Sequence, residues 1–549
     1  MQSKTWNRRD FLKWSAAATG ALTAAPWAMR PREALPAAKS LPNILFFCTD
    51  QQRVDDMSCF GNHYVKTPGA DALAVRGVRF TRSYCAFPLC SPSRATHLTS
   101  RMAHEVGVNT NGRPLPADIP SLGPLFKEAG YRTAFTGKWH LPNTWPTPDS
   151  DEVRGFEVLA RKTADGAAGA GKNFRKGRQA ETGAEDEDSS AGGPGSANDP
   201  LSMSAAIEFI KEDHQQPFLL FVSYLNPHDI CGFHETSPQT LHLPIDPSVL
   251  PPAPTNLDAP DLGPPKGSGQ APVSAKKQNS ELHWSELTWR QQLYHYYDLT
   301  AEVDGLIAKV LEALRVAGLD KNTLILYTAD HGEMAGSHRR IRKMSLYEEA
   351  MKVPFIVAGP GIPSGVTDDT HLVSGLDVLP TLLDFAGIAP PSDARGMSVK
   401  PLLDNPKAPW REAVFAALSE TAGRMVRTEK HKYNVYNGNV EELFDLEADP
   451  GEKKSLVEDP SKAQVLEQHR KLLHDWMEKT KDPFSHPELV KGLRPVSKEA
   501  GAAKGGGKAK GDGAEKGAVT GKGGGKAKQA GGVKAKEDGA KAKAALSTE

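Results

Sequence analysis

The sequence predicts an α/β protein, with one large domain on buried strands followed by a smaller α+β unit. Three observations carry this. Nearly continuous apolar runs, such as Asn43-Ile44-Leu45-Phe46-Phe47-Cys48 and Phe218-Leu219-Leu220-Phe221-Val222, suit strands covered on both faces. Segments of helical period lie between them, the strongest at Tyr294–Leu314 with Leu299, Val303, Leu306, Val310 and Leu314 on one stripe. From about Ala413 the texture changes to short alternating strands (424–427, 432–436, 442–446) that predict an antiparallel sheet, with a helix from Lys462 to about Met477 over one face.

Taken from the start, Asn7-Arg8-Arg9-Asp10-Phe11-Leu12-Lys13 leads into an Ala/Thr/Gly-rich, weakly apolar stretch. It resembles a twin-arginine export signal and is too short and too poor in Leu, Ile and Val to span a bilayer. Residues 1–40 are therefore expected to be signal and linker. A folded protein would use the twin-arginine translocon to reach the periplasm or beyond, with no integral membrane segment in the mature chain. The expected catalytic domain is 41–412, with mobile insertions at about 162–200 and 251–277, and the α+β subdomain is 413–497. The Gly/Ala/Lys-rich tail 498–549 has no aromatic residue and too little apolar surface to fold. Sixty-seven basic and 67 acidic residues leave no net charge, so nothing global argues for nucleic acid. Five cysteines are too few for a disulfide scaffold.

The polar residues that follow the apolar runs are the candidate chemistry. The run at 43–48 ends in Thr49-Asp50-Gln51, and the run at 323–328 ends in Ala329-Asp330-His331. Ligands of open α/β sheets sit at such strand ends, and acid-plus-amide with acid-plus-imidazole makes a reasonable divalent-metal cage. The strand 133–136 delivers Gly137-Lys138-Trp139-His140, and 218–222 leads to Asn226-Pro227-His228-Asp229. Lys343 follows the second metal motif. Cys90-Ser91-Pro92-Ser93-Arg94 opens a helix, where the positive end of the dipole favours a nucleophile or an anion.

Cys-x-Pro-Ser-Arg, continued by Leu98-Thr99-Ser100-Arg101, resembles the signature of the formylglycine-dependent sulfatases. The family's other motifs follow in order from about Leu41 to Asp482. The resemblance implies an alkaline-phosphatase-like fold, a large mixed sheet between helices, with a smaller C-terminal antiparallel sheet-plus-helix domain. It implies that a maturation enzyme converts Cys90 to formylglycine, whose hydrate attacks a sulfate ester, and that Arg94 steadies this group. Asp50, Gln51, Asp330 and His331, with the modified Cys90, match the metal ligands. Calcium is expected, with manganese or magnesium open. Lys138, His228 and Lys343 match the sulfate contacts, His228 or Lys343 protonates the leaving oxygen, and His140 takes the proton that releases sulfate. The implied substrate is a sulfated carbohydrate, met by loops near His234, the Pro-rich excursion and His338, Arg339 and Arg342. A phosphonate monoester or phosphodiester hydrolase of the same superfamily, or an inactive glycan-binding relative, are the alternatives.

Replacing Arg8 and Arg9 together by lysine is expected to leave the protein in the cytoplasm. Cell fractionation reads this directly, and unchanged export refutes the twin-arginine reading.

Overall fold

Every residue of strand β1 (Asn43–Asp50) is buried, and its side chains divide strictly between two cores. Ile44, Phe46 and Cys48 join one apolar cluster, and Leu45 and Phe47 join the other. The period of two is what a strand with both faces covered requires. At roughly 1.5–3 kcal/mol for each large apolar side chain buried, β1 is a major stabilising element. The structure, a computed structural model, describes residues 41–161, 194–235, 243–259, 284–438, 440–487 and 489. The expected signal and linker, the tail, and most of the two insertions (162–193 and 260–283) lie outside the described residues.

The remaining strands are β2 (Gly77–Phe80), β3 (Ser83–Tyr84), β4 (Arg132–Gly137), β5 (Glu157–Val158), β6 (Phe218–Pro227), β7 (Thr323–Ala329), β8 (Phe355–Ala358), β9 (Val366–Asp368) and β10 (Val373–Ser374), with β11–β14 at 414–418, 423–427, 431–436 and 440–445. The main sheet runs β5-β4-β6-β1-β7-β8-β2-β9. It is mixed, as expected: β8 is antiparallel to both of its neighbours, and the other pairs are parallel. Helices α1 (Pro68–Arg76), α4 (Pro194–Ile210) and α5 (Glu286–Val316) cover the face holding Leu45 and Phe47. The other face meets α2 (Cys90–Thr99), α3 (Leu122–Glu128), α7 (Val378–Phe385) and α8 (Lys400–Asp404); α6 (Glu348–Met351) is a short turn before β8.

Strands β11 to β14 form a four-stranded antiparallel sheet, and α9 (Ala463–Thr480) packs on it. This sheet does not have a core of its own on its other face. Val414, Ala416, Leu418, Met425 and Tyr436 share a cluster with Tyr84, Ala329, Leu346, Met351 and Leu372. The described residues on either side of 412/413 therefore share an apolar cluster, where the chain passes from one sheet to the other.

Two helices begin earlier than their apolar period indicates. The expected insertion 162–200 gives up its last residues to α4, which starts at Pro194 rather than near Ser204. The cause is a cap from another element: the Asp229 carboxylate, after β6, accepts from Gly195 N (3.1 Å) and Ser196 N (3.0 Å). Asp199 returns the contact, accepting from Leu225 N and Asn226 N at 2.8 Å each. Helix α5 starts at Glu286, where the Ser285 side chain caps Thr288 N.

Gly137 ends β4 at φ 108°, and a Cβ there would overlap the carbonyl oxygen of Ser223 on β6. Gly137→Ala is expected to destabilise the protein by about 3 kcal/mol through backbone strain and this clash. Thermal unfolding reads the loss, and an unchanged midpoint refutes the close approach.

Candidate active site

The C-terminal ends of β4, β6, β1 and β7, four neighbouring parallel strands, converge at one edge of the sheet. Asp50 is the last residue of β1, Lys138 follows β4, His228 follows β6, and Asp330 and His331 follow β7. Facing them is the start of α2, whose first residue is Cys90 and whose ten residues are all buried. The first turn has no side-chain cap of its own. Asn111 Oδ1 serves from outside, accepting from Ser91 N at 2.9 Å.

Arg94, one turn along α2 from Cys90, binds the two acids together. Its Nη2 lies 3.0 Å from Asp50 Oδ2 and its Nε 2.9 Å from Asp330 Oδ2, with both acids fully buried. Nη1 donates to Lys138 O (2.9 Å) and Ser223 Oγ (2.7 Å), so the planar fork is filled on every side. Lys138 Nζ is 2.9 Å from Asp50 Oδ2. Burial opposes charge on Asp50, yet Lys138, His228 and Arg94 hold its carboxyl well below the usual range. Asp330 moves the other way, raised by burial and then by Asp50 beside it.

Cys90 Sγ lies 3.2 Å from His331 Nε2, 3.4 Å from Lys343 Nζ and 3.5 Å from Asp50 Oδ1. The His140 side chain also hydrogen-bonds it. Burial pushes the thiol up, Asp50 adds to this, and Lys138 and Lys343 oppose it. Burial thus works against the lowering that the helix dipole alone suggests.

One ligand atom from each of Asp50, Cys90, Asp330 and His331 lies within 4.8 Å of the others. The donor set suits a divalent cation on two counts. His331 Nδ1 donates to Gly332 O at 2.9 Å, which leaves the Nε2 lone pair facing the cluster. Gln51 points its Oε1 inward to Lys343 Nζ (3.0 Å), while its Nε2 donates outward to Glu333 Oε2 (2.5 Å). Two carboxylates, an amide oxygen and an imidazole are ligands that calcium or manganese accepts.

All the residues singled out from the sequence are thus at one edge of the sheet. The loops expected near the substrate are placed as follows. His338 is buried, 1% exposed, and stacks on Tyr347 with ring centroids 3.9 Å apart. Arg339 pairs with Asp258, and Arg342 Nη2 donates to Cys231 O at 3.1 Å. His234 lies on the turn His228–Glu235 after β6. Sequence reading missed Ser223, Tyr296, Glu333 and Cys231. Tyr296 Oη, on α5, donates to Gln51 O at 2.7 Å and accepts from Arg53 N at 3.1 Å. Only Glu333 had a visible signal, its place three residues after Asp330 in the second metal motif.

The large mixed sheet and the small C-terminal antiparallel sheet are the fold of the alkaline-phosphatase-like superfamily. Within it, the family model for sulfatases matches residues 42–388, and the model for the N-sulphoglucosamine sulphohydrolase C-terminal region matches 336–479. The chain is 32% identical over 468 residues to a Δ4,5-hexuronate-2-O-sulfatase of Bacteroides thetaiotaomicron, covering 81% of this chain and 91% of that protein. An N-acetylglucosamine-6-O-sulfatase of the same organism is 26% identical over 510 residues, covering 80% and 87%. A solved 2-O GAG sulfatase superposes with a TM-score of 0.68 at 31% identity, over 83% of this chain and 94% of that one. The phosphonate monoester hydrolase of Agrobacterium radiobacter, at 24% identity and TM-score 0.61 over 80% and 96%, shares the fold. This chain belongs to the sulfatase family, and it is a sulfuric ester hydrolase. Residues 7–25 match the twin-arginine signal model, and no helix among the described residues is long and apolar enough to cross a membrane.

Arg94→Met is expected to cost about 3–5 kcal/mol in the cation-free protein, because two buried carboxylates lose their shared partner. Denaturant titration reads the loss. Stability equal to wild type refutes the bridging role.

Proposed function

We propose that the chain is an exported sulfatase that hydrolyses sulfate monoesters on a sulfated carbohydrate, using a formylglycine made from Cys90 and one divalent cation, calcium before manganese or magnesium. The observation that carries the reading is the setting of Cys90, with His331, Lys343 and Asp50 within 3.5 Å of its sulfur at the first turn of a wholly buried helix. A buried structural thiol has no use for two metal-type ligands and an ammonium group in contact. A carbohydrate substrate is supported by the relatives at 32% and 26% identity, named for a hexuronate 2-O-sulfate and an N-acetylglucosamine 6-O-sulfate. The twin-arginine match supports export to the periplasm or beyond through that translocon.

Asp50, Gln51, Asp330 and His331 would hold the cation, with residue 90 completing the shell. A cation bound there would draw charge from sulfate oxygens that otherwise repel a nucleophile. Formylglycine, installed by a maturation enzyme, would supply through its hydrated aldehyde one hydroxyl to attack sulfur and a second that opens a route for release. Arg94 fixes α2 and both acids, and so aims residue 90. Lys138, His228 and Lys343 take the sulfate oxygens, with Lys343 in reach of residue 90 already. His228 or Lys343 passes a proton to the leaving sugar oxygen as its bond to sulfur breaks. His140, hydrogen-bonded to the residue 90 side chain, removes the proton whose loss frees sulfate.

In a host able to modify the chain, mass spectrometry of the peptide containing residue 90 is expected to show an aldehyde in place of the thiol. Cys90→Ser, left unconverted, is expected to stall as a sulfate ester after at most one turnover, since a serine lacks the second hydroxyl. Repeated turnover by that variant refutes the role given to His140, and an unmodified thiol in an active enzyme refutes formylglycine.

A further inference from the structure

Glu333 is fully buried beside the cluster but takes no part in the chemistry above. Its two carboxylate oxygens receive three donors. Oε2 accepts from Gln51 Nε2 at 2.5 Å, and Oε1 accepts from Ala335 N at 3.0 Å and Arg342 N at 2.5 Å. Every partner is an N–H, so the side chain acts only as an acceptor.

The first contact settles which way the Gln51 amide faces. Flipping it would set the amide N–H groups against the Lys343 ammonium and the amide oxygen against the Glu333 carboxylate, two unfavourable contacts in place of two good ones. Gln51 itself has φ 65°, a left-handed backbone held by Tyr296, so the side chain starts from a constrained root.

The other contacts hold the segment that presents Lys343. Ala335, His338, Arg339, Arg342 and Met344 all have φ between 43° and 67°, a costly run for residues with a Cβ. The segment closes on itself through Met334 N to Arg342 O and Gly336 N to Arg340 O, both 2.8 Å. Glu333 Oε1 seals the base of that closure, one residue before Lys343.

We propose that Glu333 is a positioning residue that couples the two halves of the site: it turns the Gln51 oxygen toward the cation position and anchors the segment that brings Lys343 to the sulfate position. This rests on reading the cluster as a cation and sulfate site. Removing the acceptor therefore weakens both ligands together, although Glu333 touches neither. A residue that only supports the fold would lower stability and leave cation affinity in the folded protein unchanged.

The test is calorimetric titration of calcium into chelator-stripped full-length protein, with inorganic sulfate competition as a second reading. Wild type is expected to take up one cation. Glu333→Gln is expected to bind calcium 10–100-fold more weakly and to lose affinity for sulfate as well, because its amide cannot accept from all three donors. The reciprocal swap Gln51→Glu with Glu333→Gln restores a hydrogen bond between the two side chains, keeps the summed charge and again turns an oxygen inward. It is expected to recover calcium binding to wild-type affinity or better, and to exceed Gln51→Glu alone, in which two carboxylates face each other. If Glu333→Gln does not fold, the swap alone decides, since the proposal requires it to fold and bind. Wild-type affinity in Glu333→Gln, a swap no tighter than Glu333→Gln, or Gln51→Glu alone matching the swap each overturns the positioning role. Wild type that takes up no divalent cation overturns instead the reading of the cluster on which the role rests.

Discussion

Two aspartates with no solvent exposure meet at the ends of adjacent parallel strands, and the Arg94 guanidinium between them makes that arrangement tenable. Like charges brought this close in a buried setting disfavour each other's ionisation, and Lys138, His228 and Arg94 oppose that at Asp50. A planar donor of five N–H groups can serve both carboxylates, a backbone carbonyl and Ser223 at once, which a lysine cannot. The four-residue spacing on α2 puts Cys90 and Arg94 on one helical face. The helix that carries Cys90 thus also supplies the charge that steadies the two buried acids.

Strain is concentrated around this pairing. Gln51 (φ 65°) and His140 (φ 63°) both stand in the left-handed region without being glycine. Each is held by a side chain from elsewhere in the chain: Tyr296 donates to the Gln51 carbonyl, and Ser91 Oγ donates to the His140 carbonyl at 2.5 Å. Such conformations persist only where surrounding contacts over-determine them. Here the contacts come from α5 and α2, so the site's geometry depends on how the helices dock on both faces of the sheet.

The small C-terminal sheet has a part in the site as well. Lys432 on β13 is fully buried against Glu348 (3.1 Å) and Glu452, and Tyr347 Oη donates to Glu442 on β14 at 2.9 Å. Glu348 N donates to Glu452 Oε2 at 2.7 Å. These contacts fall on the residues just after Lys343 and brace its segment. A shared apolar cluster around Leu346, Met351 and Met425 reinforces the join. The N-sulphoglucosamine sulphohydrolase C-terminal match, beginning at residue 336, spans this bracing and the Lys343 segment together.

The sequence by itself determined the four central strands of the main sheet, β4, β6, β1 and β7, the polar residues at their ends and the Cys90–Arg94 motif. Each of these is written in local pattern: an apolar run buried on both faces cannot help ending at the sheet edge where ligands bind, and Asp50, Lys138, His228 and Asp330 occupy those ends. The family likeness in the motifs added the roles proposed for them. Only the tertiary structure decided the rest, because it depends on partners far apart in the chain. The pairing of Lys138 with Asp50, the facing of the Gln51 amide by Glu333 across 282 positions, and the start of α4 under a cap from Asp229 have no local signature. The same holds for the stacking of His338 on Tyr347, and for the five cysteines, which are all free. Periodicity reports which face of an element meets the core; which side chain waits there is known only once the elements have packed.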